Sequence, residues 1–206
     1  MPSSATHKAE AYMTQVEQKI RVLLREYSEG KLNSEQFHVL YERYSSQRLI
    51  AQQAMLTGDE KVLSDQTPGE KSTIAIRNEH MGKAIGLRIY HNKNGAVIET
   101  LGDFDVSAFV ISPVLADFRL LAANDKLIRP RAEKIEDKRW LLFAAEPHTT
   151  VVTLFRNEPS PMQIREIQRL HHDFEIANSS LLRQGQPDSR SLAYPFHVFV
   201  QRKLRK

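Results

Sequence analysis

The sequence contains no cysteine, and this absence excludes several kinds of chemistry. A chain without cysteine has no disulfide framework, no thiolate nucleophile and no cysteine-ligated zinc site. Apolar residues nowhere form an uninterrupted run near the roughly 20 residues that a membrane-spanning helix needs. The N-terminus passes from Met1–Lys8 into a charged helical pattern without the apolar core of a secretory signal. We therefore expect a cytoplasmic protein without a membrane span.

Glycine and tryptophan are also scarce, with eight glycines and one tryptophan in 206 residues. Gly82, Gly86 and Gly95 are too sparse for a phosphate-binding loop. The serines lack the Gly-x-Ser-x-Gly context of a nucleophile elbow, and the sequence pairs no histidine with one of them. Trp140 begins an apolar run, which favours core packing over a ligand platform. These features favour a binding protein over an enzyme, and no cofactor is predicted.

The composition itself is typical of a globular protein, with 41% hydrophobic and 26% charged residues. The net charge of +4 equals the charge of a basic tail formed by Arg202, Lys203, Arg205 and Lys206. The rest of the chain is therefore balanced in charge. Such a tail can contact phosphates, which defines one alternative function, that of a nucleic-acid-associated regulator.

Two amphipathic helices are predicted at the N-terminus. Apolar side chains recur at three- and four-residue steps over about Ala9–Tyr27, and a second helix follows to about Leu56. Gly30 is placed to end the first helix in the left-handed conformation. Asn33 and Gln36 can form a capping box at the start of the second helix. The pattern predicts an antiparallel hairpin.

Four of the six tyrosines lie in this hairpin, residues 1–56. Tyrosine suits partly wet interfaces, because its ring is buried while its hydroxyl remains hydrogen-bonded. A lone hairpin buries one seam, so additional aromatic side chains imply packing on a second copy or on the rest of the chain. We predict homo-oligomerisation through five aromatic side chains of the hairpin: Tyr12, Tyr27, Phe37, Tyr41 and Tyr44.

Residues 57–72 lack periodicity and are expected to be a linker, with an α+β domain following over residues 73–200 and the basic tail over 201–206. Asn94-Gly95 between two strand patterns is a strong hairpin signal, because both residues tolerate positive φ. A short strand or docked segment is expected at Tyr194–Val200. The other predicted strands are Thr73–Arg77, Lys83–His91, Ala96–Leu101, Arg131–Glu136, Arg139–Ala145 and Thr149–Arg156.

A helix is predicted within residues 105–123, and two positions compete for its start. Asp105 can cap a helix that Pro113 then kinks, because proline lacks the N–H of the helical hydrogen bond. In the other interpretation Ala108–Ile111 is a strand, and the helix begins at Ser112 with proline in its first turn. The sequence leaves both open.

The last helix has the clearest start, with Ser160 as N-cap, Pro161 in the first turn and Gln163 closing a capping box. His171 and Glu175 lie one turn apart on it, which raises the question of a metal site. Adjacent histidines on a helix point about 100° apart, and a competent site needs further ligands. We therefore interpret His171, on the apolar stripe, as a buried imidazole with satisfied hydrogen bonds.

The order of elements over about Lys83–Leu182 resembles the roadblock and longin group of profilin-like domains. The resemblance rests on the Asn94-Gly95 hairpin, the following helix, and three antiparallel strands whose last contains Thr149–Phe155. It implies a five-stranded sheet sandwiched by helices, with edges or helices that mediate dimerisation. Such domains commonly act as platforms for small GTPases or as adaptor subunits, which implies binding rather than catalysis.

The N-terminal hairpin is similar to short helical oligomerisation modules of the SHOCT type. In those modules a turn with glycine precedes an acid-rich helix start that carries an aromatic residue. The residues that carry the similarity are Leu23, Leu24, Gly30, Lys31, Leu32, Glu35, Gln36, Phe37 and Leu40.

The resulting prediction is a non-enzymatic α+β adaptor, homodimeric through its hairpin, whose sheet domain recognises a protein partner such as a small GTPase. One alternative is the nucleic-acid-associated regulator described above. Another is a ligand-sensing domain of the PAS or GAF kind, which requires a closed apolar pocket of roughly a few hundred Å³ under the sheet.

Overall fold

The computed structural model describes residues 4–58, 71–124, 126–136, 138–185 and 187–196. The chain divides into two compact units, with the boundary between Met81 and Gly82. The first unit is helical, and the second is an antiparallel sheet with helices, so the predicted α+β fold class is confirmed. Most of the predicted linker, residues 57–72, lies outside the described residues.

Two long helices, α1 (Ser4–Ser28) and α2 (Ser34–Thr57), form the predicted hairpin. Gly30 in the turn has a φ of 74°, the left-handed conformation that favours glycine. The side chain of Asn33 accepts the N–H of Gln36, and the side chain of Gln36 accepts the N–H of Asn33, which confirms the capping box. The side chains buried between the two helices include Val16, Ile20, Leu23, Leu40 and Tyr44.

The strand predicted at Thr73–Arg77 is wrong, because this segment belongs to a helix, α3 (Thr73–His80). Ser72 caps the helix by accepting the N–H of Ala75 at 3.1 Å. The two isoleucines at positions 74 and 76 have the spacing of a strand, but the first is 71% exposed and only Ile76 enters the helical core. Periodicity over so short a segment therefore gave the wrong element.

The two side chains of the α2 capping box also donate hydrogen bonds to carbonyl groups in the last turn of α3. Nδ2 of Asn33 donates to the carbonyl of His80 and Nε2 of Gln36 donates to the carbonyl of Arg77, each at 2.8 Å. Carbonyl groups in the last turn of a helix have no partner within that helix, so these bonds stabilise α3 where it ends. Residues 73–81 therefore lie in the helical unit, and the sheet unit begins later than predicted.

Five strands form the second unit: β1 (Lys83–His91), β2 (Val97–Gly102), β3 (Arg131–Lys134), β4 (Arg139–Ala145) and β5 (Thr149–Arg156). They form one antiparallel sheet in the order β2-β1-β5-β4-β3. The predicted hairpin at Asn94-Gly95 is confirmed, because the N–H of His91 donates to the carbonyl of Ala96 and Gly95 has a φ of 71°.

A helix within the predicted window is also confirmed, as α4 (Ala108–Ala123). Its cap is Ser107, and neither Asp105 nor Ser112, the two predicted starts, begins it. Residues Ala108–Ile111 are helical and do not form the alternative strand.

The start of α4 is decided by the segment that precedes it. Phe104 and Val106 are both buried in the core under α4, and this alternation holds the chain extended up to Ser107. Asp105 points the other way and forms an ion pair with Arg139. The first residue free to cap a helix is therefore Ser107.

The last helix is α5 (Pro161–Leu182), and its predicted start is confirmed. Ser160 accepts the N–H of Gln163, and Gln163 accepts the N–H of Ser160. Nε2 of Gln163 also donates to the carbonyl of Gly82 at 2.8 Å, so this capping box also holds a neighbouring segment, as the one in α2 does.

The sheet lies between α4 on one face and α5 on the other. Strand residues alternate between the two cores: in β4, Leu141 and Phe143 face α4, while Leu142 and Ala144 face α5. Of the predicted segment Tyr194–Val200, the described residues pack against the α5 core without forming a strand, and the remainder lies outside the described residues.

Candidate functional site

Three of the predicted interface residues form one aromatic stack in the helical unit. The ring of Phe37 lies 4.3 Å from the ring of Tyr27 and 5.5 Å from the ring of Tyr41, measured between centroids. Both tyrosines are exposed at their outer edges. The stack joins the end of α1 to the start of α2, so it stabilises the hairpin and also presents aromatic surface to solvent.

Tyr44 does not share this surface, and its prediction as an interface residue is wrong. Its side chain is only 5% exposed and belongs to the helical core, with its hydroxyl 3.4 Å from Oγ1 of Thr73. The helical spacing of the four tyrosines did not distinguish the inner from the outer face of α2. Tyr12 is half-buried at the edge of the same core. The predicted basic tail, residues 201–206, lies outside the described residues.

A buried polar cluster joins α5 to the sheet. Oγ1 of Thr149 donates to Oε1 of Glu175 at 2.6 Å, and Nε2 of His171 lies 2.8 Å from the same hydroxyl. The N–H of His148 donates to Oε1 of Glu175 at 3.1 Å. The Thr149 and His171 side chains are almost fully buried, and burial, assisted by the nearby His172, lowers the pKa of His171 to about 3.

The direction of these hydrogen bonds decides what the cluster can do. The hydroxyl of Thr149 has one proton and gives it to Glu175, so the bond from His171 must be donated by Nε2–H. A nucleophile needs the opposite arrangement, with an imidazole that accepts the proton of the hydroxyl. The cluster therefore fixes α5 on β5. The predicted buried histidine is found, although its Nδ1 has no hydrogen-bond partner within the described part of the chain.

Among the described residues, no group of three or more histidine, aspartate and glutamate side chains is placed to hold a metal ion. His171 and Glu175 both bond to Thr149, as described above, and His172 instead lies 3.6 Å from a carboxylate oxygen of Glu146.

The outer face of α4 carries an apolar seam, which we define as Phe109, Pro113, Ala116, Leu120 and Ala123. All five residues are exposed, Phe109 to 92% and Leu120 to 65%. They recur at alternating four- and three-residue steps, the spacing of a helix that pairs with another helix. The opposite face of α4 is also apolar and packs on the sheet. A helix that is apolar on two opposite faces is normally covered on both.

The sequence contained a signal for this seam. Only Asp117 and Arg119 are charged in the whole of α4. The two competing helix starts left the phase of the helix undefined, so the outer face could not be separated from the inner one. Phe109 is the most exposed large apolar side chain in the described chain.

A groove runs along another side of α4, between this helix and the β1–β2 hairpin. It consists of two adjoining cavities of about 340 Å³ and 440 Å³ that share Tyr90, Leu115 and Arg119. The first cavity lies over the sheet end at which β1 and β4 finish, and the second lies nearer the start of α4.

No helix in the described part of the chain is both long and apolar enough to cross a lipid bilayer. Comparison with protein-family models, with curated proteins and with solved structures finds no match to this chain.

Proposed function

We propose that this chain is a non-enzymatic protein–protein interaction module that pairs with a second copy through the apolar seam of α4. The observation that carries the proposal is the exposure of that seam on a helix whose inner face is already buried. Full burial of a side chain such as Phe109 or Leu120 stabilises an assembly by roughly 1.5–3 kcal/mol. In a symmetric pair each contribution counts twice.

A second copy is the occupant that the seam fits best. Its residues are arranged almost symmetrically about Ala116, with Phe109 towards one end and Ala123 towards the other. In an antiparallel pair with its two-fold axis at Ala116, the large ring of Phe109 lies opposite the small Ala123 of the other copy. Alanine at the centre allows close approach of the helix backbones. No charged residue lies within the seam to oppose its burial.

The resemblance to roadblock and longin domains supports this proposal. The five-stranded sheet with helices on both faces is the architecture that the resemblance implies, and in that group edges or helices mediate dimerisation. By the same analogy, we extend the proposal to an adaptor role, in which the paired sheet domains present a surface to a small GTPase or another signalling protein. The exposed stack of Tyr27, Phe37 and Tyr41 is a second surface available for protein contacts.

The test is sedimentation equilibrium of the full chain and of two matched variants. Leu120→Asp places a charge in the seam, and Ile176→Asp places one at a site of nearly equal exposure, 63%, on α5. We expect the full chain to be dimeric, Leu120→Asp to weaken pairing by a factor of roughly 100 or more, and Ile176→Asp to leave it unchanged. A monomeric full chain, or equal effects of the two variants, contradicts the proposal.

A third variant, Tyr41→Asp, distinguishes pairing through the helical hairpin from pairing through α4. If Tyr41→Asp dissociates the dimer and Leu120→Asp does not, pairing occurs through the aromatic stack, as the sequence predicted. Tyr41 is suitable because it is exposed at its outer edge, whereas Tyr44→Asp would unfold the hairpin core.

A further inference from the structure

The first cavity of the groove combines an apolar interior with unpaired positive charge. Its volume of about 340 Å³ is at the lower end of the range for small-molecule sites, roughly 300–1,000 Å³. Among the described residues that line it, the charged ones are Lys93 and Arg119, and none is a carboxylate. Neither cation has an ion-pair partner among the described residues. Its apolar walls are formed by Leu115, Phe118, Ala122, Ile128, Ala145 and Pro147.

The Arg119 guanidinium lies against the turn of the β1–β2 hairpin. A Cβ atom built on Gly95 would lie 2.1 Å from Nη2 of Arg119, so the absence of a side chain there leaves room for the guanidinium. Gly95 also has a φ of 71°, which glycine adopts without strain. The hairpin turn therefore serves two purposes, because it reverses the chain and allows a cation to lie at the edge of the cavity.

Polar side chains on the wall of the cavity bond to one another and to the backbone. Oγ1 of Thr150 donates to Oδ1 of Asn92, and Nδ2 of Asn92 donates to the carbonyl of Glu146, each at 2.7 Å. These bonds join the ends of β1, β4 and β5 into a neutral surface. The positive charge of Lys93 and Arg119 is thus left for an anion from solution.

We infer that this cavity binds a small organic monocarboxylate with an apolar body. The apolar body lies between α4 and the sheet, and the carboxylate accepts hydrogen bonds from the guanidinium of Arg119, with Lys93 adding charge. The cavity shares no residue with the apolar seam of α4, so the inference does not rest on the proposed pairing. A ligand here contacts both α4 and the end of the sheet.

Octanoate and 1-octanol are suitable probes, because they share an apolar chain and differ in charge. Isothermal titration calorimetry of the full chain should show one octanoate per chain, bound about tenfold or more tightly than 1-octanol. Arg119→Gln should bring octanoate affinity close to that of 1-octanol, with Lys93 retaining a small preference for octanoate, and leave 1-octanol affinity unchanged. Ala122→Trp, which fills the cavity from an exposed helix position, should weaken the binding of both ligands.

Arg156→Gln is the matched control, because Arg156 is an exposed arginine at the opposite end of β5. It removes the same charge and should leave both affinities unchanged. Both arginines are exposed, so neither substitution is expected to unfold the domain. Equal binding of octanoate and 1-octanol, no octanoate binding at millimolar concentration, or an equal loss in Arg156→Gln overturns the inference.

Discussion

The lowered pKa of the buried His171 imidazole predicts how the stability of the folded chain changes with pH. Burial lowers the pKa of His171 from an ordinary value of 6.5 to about 3, so the folded chain excludes a proton that the unfolded chain binds. Above pH 6.5 the imidazole is neutral in both states, and its contribution to stability is fully present. As the pH falls from 6.5 towards 3, the unfolded state gains protons first and this stability is lost.

The magnitude follows from the size of the shift. One pKa unit corresponds to about 1.4 kcal/mol, so the shift from 6.5 to about 3 costs roughly 4 kcal/mol of stability once the pH reaches 3. At pH 5 about 2 kcal/mol is already lost. A small domain has a total stability of about 5–15 kcal/mol, so titration of this single group can account for much of its acid unfolding.

Urea unfolding of the full chain and of His171→Gln measures this effect. Trp140 is the sole tryptophan and lies in β4, so its fluorescence reports on the sheet unit alone. Glutamine can still donate to Oγ1 of Thr149 but does not titrate, so the variant should be less stable at pH 7.5 and lose less stability at lower pH. The difference between the two pH profiles of stability cancels the contribution of the carboxylates that both proteins share. Identical slopes between pH 6.5 and 4 would refute the assignment.

Two further substitutions test contacts that join neighbouring segments. Gln36→Glu keeps a side-chain oxygen that accepts the N–H of Asn33, and its negative charge is favourable at a helix N-terminus. The substitution removes the N–H that donates to the carbonyl of Arg77. We expect a net loss of roughly 1–3 kcal/mol in thermal unfolding followed by circular dichroism, and a gain would refute the second role of this side chain. Gly86→Ala places a Cβ 2.4 Å from the backbone oxygen of Asp103, so the sheet unit should lose about 1–3 kcal/mol, measured by tryptophan fluorescence. Unchanged stability of Gly86→Ala would mean that the 103–107 segment can shift freely.

The elements that were predicted correctly depend on residues close together in the chain. The side chains of Ser160 and Gln163 bond to each other's backbone, and those of Asn33 and Gln36 do the same. Gly95 supplies the positive φ of a tight turn. These interactions are complete within four residues, so a sequence pattern is sufficient to find them. The proposed adaptor role remains a prediction from resemblance and from exposed surface.

The errors have a common cause, which is that the deciding contact lies far away in sequence. Thr73–Arg77 alternates like a strand, but the side chain of Gln36 satisfies a carbonyl near the end of α3 and selects the helix. Burial of Tyr44 depends on which face of α2 meets α1, and this follows only from the packed hairpin.

Local chemistry thus determined the starts of α2 and α5, the β1–β2 turn and the α+β class of this protein. Tertiary structure decided which apolar residues of α4 face the sheet and which face solvent, because the start of that helix is set by the burial of Phe104 and Val106. It also decided the protonation of His171, since desolvation arises only when α5 packs on β5.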